Sequence, residues 1–157
     1  MNISSNISNQ LFLKELEANL LEQLKLTYQT DQIINDDLLE SLYFIYKSPL
    51  LEVLNQIDKY DQQEQQKQPG QPPSEPLVSI VKCDKRFIYQ VKGSFNYYLF
   101  DKINFCTCSS FKYNVLHKAE YIYCKHMIMI KLLTAMNRVP VREVKENELF
   151  ELIKHIQ

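Results

Sequence analysis

Four positions constrain this chain more than any others: Cys106 and Cys108, then Cys124 and His126. Each pair brackets a single residue, and fifteen residues separate the pairs. Three thiols and an imidazole arriving as two tight pairs match the donor set of one tetrahedral zinc ion. In an extended segment, positions i and i+2 face the same side, so Cys106 and Cys108 can point together. Their sulfurs must still converge, which predicts a bend or bulge at Thr107. On a helix, i and i+2 point nearly opposite ways. Cys124 is therefore expected just ahead of a helix, with His126 in its first turn. A zinc ion held this way contributes about 10–16 kcal/mol of apparent binding free energy. A whole domain has a net stability of only about 5–15 kcal/mol, so the metal would decide whether this half folds.

A closed set of four ligands leaves no open position for water or substrate. The expected zinc is structural, with no catalytic residues and no enzymatic activity. Glu120 is the only carboxylate in the intervening loop, and the His-x-Glu pattern of zinc deaminases is absent. His117 is a fifth candidate ligand, read as a surface histidine because the set is already complete. His155 is expected near a helix C-terminus, where it favours the dipole.

The rest of the chain excludes several function classes. Gly70 and Gly93 are the only glycines, too few for a phosphate-cradling loop. No apolar run reaches the ~18–20 residues that span a bilayer, and Met1 to Gln10 lacks the pattern of a secretory signal. With three of four cysteines committed to metal, a reducing compartment is expected. Cys83 reads as a small buried hydrophobe in a strand. Residues 1–75 carry 5 Lys and 12 Asp+Glu, a charge of −7, while 76–157 carry 13 Lys+Arg and 7 Asp+Glu, a charge of +6. That asymmetry suggests either different partners for the two halves or two solvated faces of opposite sign.

Periodicity divides the chain into four parts. Residues 1–57 are a helical region. Leu13, Leu16, Leu20, Leu24 and Tyr28 make one apolar stripe over 11–28, with Glu15, Glu17 and Glu22 off it and Ser8 or Asn9 as the cap. A second helix follows Asn35, with Asp36 and Asp37 at its positive dipole end. Ser48-Pro49 opens a third, serine as cap and proline at the first position. Residues 58–76 are a Gln/Pro-rich linker or loop. Residues 77–136 begin with β-rich runs at 77–81, 87–91 and 97–100, an antiparallel meander of three or four strands. Ser109 is expected to cap a short helix through about Val115. The helix after Cys124 is apolar nearly all round, through Met127–Ile130, Leu132, Leu133, Ala135 and Met136. Residues 137–157 are an extension with a final amphipathic helix over 146–156. The fold class is α+β.

Strands feeding Cys106-x-Cys108, a short segment, then Cys124-x-His126 opening a helix resemble the SWIM zinc finger. The match spans about residues 77–136. Ser41-Leu42-x-Phe44, Tyr89-Gln90-Val91-x-Gly93-Ser94, Phe111, Val115-Leu116 and Cys124-Lys125-His126 together resemble, over most of 35–155, the SWIM-containing subunit of the Shu complex. The resemblance implies a nuclear, non-enzymatic subunit with one structural zinc. It would pair with a RecA-like recombinase paralogue and promote recombinase filaments on single-stranded DNA in homologous recombination. The family favours alanine three residues after the histidine, where this chain has Met129. The other reading is a generic SWIM module recruiting protein or DNA in an unrelated nuclear complex.

Two surfaces are expected to serve such roles. The apolar run at 38–46 is too broad for one stripe, and so is the helix after Cys124. Leu42, Tyr43, Phe44, Tyr46, Met129 and Leu133 are therefore the expected partner contacts. Lys112, Lys118, Lys125, Lys131 and Arg138, with Lys102 and Arg142 nearby and Tyr113, Tyr121 and Tyr123 interleaved, form the expected DNA contact. No membrane and no small-molecule substrate is implied.

Overall fold

The computed structural model describes the backbone of residues 3–100 and 103–154, with side chains from residue 11 onward. Three helices come first: α1 (Ile3–Asp31), α2 (Asp36–Tyr46) and α3 (Ser48–Gln65). Strands β1 (Val78–Cys83), β2 (Arg86–Val91) and β3 (Tyr97–Phe100) follow. Then come a π-helix (Phe111–His117), α4 (Lys125–Ala135), β4 (Val141–Glu143) and α5 (Glu146–Lys154).

The sheet runs in the order β3-β2-β1-β4. The first three strands form the expected antiparallel meander, while β4 joins β1 in parallel through Ile80↔Val141 to Lys82↔Glu143. Alternation sorts the strands' side chains between two cores. Val78, Val91 and Leu99 face the main core with α1 to α4. Val81, Cys83 and Ile88 face Leu149 of α5 on the other side. Thus α5 lies on one face of the sheet, and α4 with the first three helices lies on the other. Cys83 is buried there, as its strand position predicts.

The helical stripe of α1 buries Leu20 and Leu24, with Leu16 and Tyr28 packed at the margin. Two local expectations are corrected. The helix begins at Ile3, upstream of Ser8 and Asn9, so neither is its cap. Glu17 does not lie off the stripe but is only 7% exposed. Its carboxylate accepts hydrogen bonds from Tyr46 Oη at 2.8 Å and Tyr123 Oη at 3.0 Å, and pairs with Lys131 Nζ at 3.2 Å. Burial first, then the Glu17 charge, pushes both phenols above their usual range, so both stay protonated as donors.

Asn35 caps α2 by accepting the Leu38 N–H at 2.9 Å, ahead of Asp36 and Asp37. At α3, however, Lys47 occupies the cap position, and the Ser48 hydroxyl bonds Tyr121 Oη at 2.9 Å instead. The reading of 58–76 as linker is corrected over its first part, because α3 continues to Gln65. Glutamine is a good helix former, and Tyr60, Asp61 and Glu64 give the added turns anchors. Tyr60 Oη donates to Ser74 O at 3.3 Å, and the Ser74 N–H donates to Glu64 at 3.0 Å, folding the remaining loop back on α3.

A single residue, Lys47, turns the chain between α2 and α3. It sits at φ 57, ψ −151, a region almost reserved for glycine. Its N–H still bonds Tyr43 O at 2.9 Å, which needs no side chain. Lys47→Gly is therefore expected to raise the unfolding free energy by about 1 kcal/mol, despite glycine's cost elsewhere. Urea denaturation of the zinc-loaded protein measures it.

Candidate metal centre

Cys106 and Cys108 lie in irregular chain beyond β3, not in a bulged strand. A tight turn from Phe105 N–H to Ile103 O (2.8 Å) brings the chain around. Phe105 and Phe111 meet edge to face at 5.7 Å and bracket the pair. The Phe111 N–H donates to Cys108 Sγ at 3.3 Å, and the Lys112 N–H donates to Cys108 O at 3.2 Å.

The segment expected as a short helix capped by Ser109 is a π-helix, with no side-chain cap bond at its start. The wider π turn ends with Lys118 N–H on Tyr113 O at 2.9 Å. Ala119 at φ 50 and a bond from Glu120 N–H to Asn114 O then reverse the chain toward Tyr123.

Cys124 is extended (φ −81, ψ 165) and occupies the cap position of α4. His126 sits in the first turn, as the spacing predicts. The two pairs meet: the donor atoms of Cys106, Cys108, Cys124 and His126 all lie within 4.8 Å of one another, and all four residues are buried. Cys106 Sγ and His126 Nδ1 are 3.7 Å apart. Zinc–sulfur bonds of about 2.3 Å and zinc–nitrogen bonds of about 2.0 Å put tetrahedral ligand edges at roughly 3.5–3.8 Å. The donors fit one zinc ion with little movement.

Electrostatics favours the same conclusion. Without a cation between them, hydrogen bonding to Cys108 and Cys124, then burial, pushes the Cys106 thiol far up. Cys108 is held far down by the donating Cys106 and Cys124 thiols. Cys124, eased by Cys106 but opposed by Cys108 and by burial, is pushed up to about 11. Three thiolates this close need a positive ion at their centre.

The imidazole of His126 is also held from outside. Tyr97 stacks on it at 4.0 Å and 28°. Gly93 makes room, since a Cβ there would lie 2.9 Å from the Tyr97 ring and 3.2 Å from Phe95 O. Gly93 thus serves packing beside the metal centre.

Residues 98–134 match the SWIM zinc finger family. The chain carries a SWIM zinc finger. It is also homologous to zinc finger SWIM domain-containing protein 7. The Mus musculus protein is 26% identical over 143 residues, covering 90% of this chain and 84% of that protein. The Homo sapiens protein is 25% identical over the same length, covering 90% and 91%. The homologue in Dictyostelium discoideum is 28% identical over 156 residues, covering 97% and 88%. No solved structure matches. One structural zinc held by a Cys3His set is the cofactor of this SWIM finger.

Around the finger the expected surfaces are redrawn. Of the expected partner contacts, Leu42, Tyr46, Met129 and Leu133 are buried in the core, because α2 and α4 are each covered on several sides. Met129, at the family's alanine position, is fully enclosed. Tyr43 and Phe44 remain exposed at 43% and 61%. With Leu39, Leu51 and Lys47 they line a shallow groove of about 480 Å³.

The expected basic face is broken up. Lys125 pairs with Glu52 at 3.5 Å and Lys131 with Glu17. Arg138 grips Asp61 with both guanidinium nitrogens and bonds Tyr28 Oη at 3.2 Å. Arg142 pairs with Glu148 at 2.5 Å. Tyr123 is buried and Tyr121 is half-buried. Lys112, Lys118 and Tyr113 stay exposed on or beside the π-helix, with Lys118 Nζ 4.7 Å over the Tyr113 ring. His117 is exposed and outside the ligand cluster. Lys102, His155 and Ile156 lie outside the described residues.

Sequence reading missed Glu17, Tyr97 and the purpose of Gly93. Glu17 shares the helical face of Leu20, Leu24 and Tyr28, so its spacing carried a signal. Nothing in the sequence marked Tyr97 as the ring over His126.

Loading the finger must displace protons from its cysteine thiols. At pH 7.5 ordinary thiols are mostly protonated, so zinc binding is expected to release about two to three protons, and affinity should rise with pH. Calorimetry in buffers of different ionisation enthalpy counts them. Cys108→Ser is expected to abolish stoichiometric zinc and cooperative unfolding together, as read by elemental analysis and circular dichroism.

Proposed function

We propose that this chain is a non-enzymatic, nuclear subunit of a Shu-type complex. It pairs with a RecA-like recombinase paralogue and promotes recombinase filament assembly on single-stranded DNA. The observation that carries this reading is the reach of the similarity. Alignment to the zinc finger SWIM domain-containing 7 proteins covers about nine-tenths of this chain, helices included, not the finger alone. A generic SWIM module in an unrelated complex would need only the finger, so that reading is less favoured.

Two features support a scaffolding role. The zinc has a complete set of protein donors, leaving no coordination site for a substrate. The exposed aromatic pair Tyr43 and Phe44, beside Leu39 and Leu51, is apolar surface of the kind that buries against another protein. The RecA-like paralogue is assigned to this α2–α3 surface. Any direct DNA contact falls to Lys112, Lys118 and Tyr113, since Lys125, Lys131, Arg138 and Arg142 are engaged by carboxylates of the same chain.

Phe44→Glu is the test. Tagged wild-type protein is expected to co-purify a RecA-like paralogue with one equivalent of zinc. Phe44→Glu should retain the zinc and lose at least about 2 kcal/mol of partner affinity, the scale of an interface hot spot. A wild-type protein that retains no RecA-like chain would refute the complex, and a Phe44→Glu protein binding it normally would refute the surface.

A further inference from the structure

Tyr123, the residue before Cys124, is fastened more firmly than a loop residue needs to be. Its hydroxyl donates to Glu17 at 3.0 Å. The Lys131 ammonium lies 4.5 Å over its ring, and Tyr46 meets it edge-on at 6.0 Å. Lys131 and Tyr46 themselves close on the same Glu17 carboxylate. One side chain of α1 therefore holds both the chain running into Cys124 and the helix that carries His126.

Stability alone does not account for a carboxylate at this place. A buried charge loses its hydration, and apolar packing of the same volume often does as well or better. What Glu17 supplies is direction: three donors from three separate segments meet at fixed points on two oxygens. Removing the carboxylate frees Tyr123 to move, and Cys124 Sγ moves with the backbone it shares. The Cys106–Cys108 pair lies on a different segment, so any slack at Tyr123 changes the separation between the two halves of the ligand set.

We propose that Glu17 is a positioning residue for the metal centre. By holding Tyr123 and Lys131 it fixes where Cys124 and His126 stand against Cys106 and Cys108, so the seating of α1 sets how tightly the ion is held. This rests on the zinc assignment and not on the Shu-type complex.

The full chain, loaded with zinc, provides the test. Tyr123→Phe deletes one hydroxyl, and Glu17→Gln keeps the volume and one acceptor. Leu149→Ala, in the core on the far face of the sheet, is the control for lost stability. Zinc affinity is measured by competition with a chromophoric chelator, and ligand geometry by the visible absorption of the cobalt-substituted protein. Tyr123→Phe and Glu17→Gln are each expected to weaken zinc about tenfold, at the low end for groups that orient ligands, and to shift the cobalt bands. Leu149→Ala lowers apparent affinity only through lost folding stability and should leave the cobalt bands unchanged. If Glu17→Gln does not fold, Tyr123→Phe decides alone. A wild-type cobalt spectrum in Tyr123→Phe, or the same band shift in Leu149→Ala, overturns the proposal.

Discussion

Everything in this fold turns on bringing three sulfurs and one ring nitrogen to a point. Two of the sulfurs arrive on irregular chain leaving the sheet edge, and the other two donors arrive at the start of α4. The first of these segments has little besides the metal to hold it, and the second is held at Tyr123 by Glu17. The stretch from Ile103 to Cys108 has no strand partner, and the loop from Ala119 to Ile122 runs over the surface with few backbone bonds. A shared ion is what makes them one object. Because α4 is the helix buried between the sheet and the N-terminal helices, fastening its first turn fastens the centre of the molecule. The large binding energy of such an ion and the small net stability of such a domain make metal and fold inseparable.

The packing around that point follows from how little of α4 faces water. Its apolar side chains meet β1 and β2 on one side and α1 and α3 on others, so its nearly uniform hydrophobicity is spent inside the chain. The same holds for α2, whose broad apolar run splits between an inner row, Leu38, Leu42, Ile45 and Tyr46, and an outer pair, Tyr43 and Phe44. Breadth of an apolar run signals burial on more than one side. It does not tell whether the second side belongs to the same chain. That ambiguity is why four expected partner contacts proved to be core, and only two lie on the surface.

The ligand set and its neighbourhood were legible in the sequence because they rest on local spacing: i, i+2 pairs, and a histidine that needs a helix start. The antiparallel hairpin from Val78 to Val91 was legible from its period. The rest depends on contacts distant in sequence. β4 is three exposed residues with no pattern of their own, and it exists because Ile80 N–H finds Pro140 O at 2.9 Å after the chain has crossed over α4. The π-helix carries nothing in its seven residues that separates it from a short α-helix by pattern. Glu17 was placed off the stripe because such a stripe is read by hydrophobicity, and a carboxylate on the same face is assigned to solvent.

Part of the charge asymmetry between the halves is matched by the same distant contacts. Four acidic side chains of the first half pair with basic side chains of the second. Glu17 meets Lys131, Glu52 meets Lys125, Asp61 meets Arg138, and Glu75 meets Lys92. Each pair joins a residue before position 76 to one after it. The exposed pairs contribute little singly, about 0–1 kcal/mol, so their value lies in matching, not in strength. Three of the pairs join α1 and α3 to α4 and the turn that follows it, so the register that seats these helices together satisfies all three at once. Apolar surfaces can slide over one another at small cost. Opposite charges at fixed places on α1, α3 and α4 remove that freedom, and with it the slack that a four-donor metal site cannot tolerate.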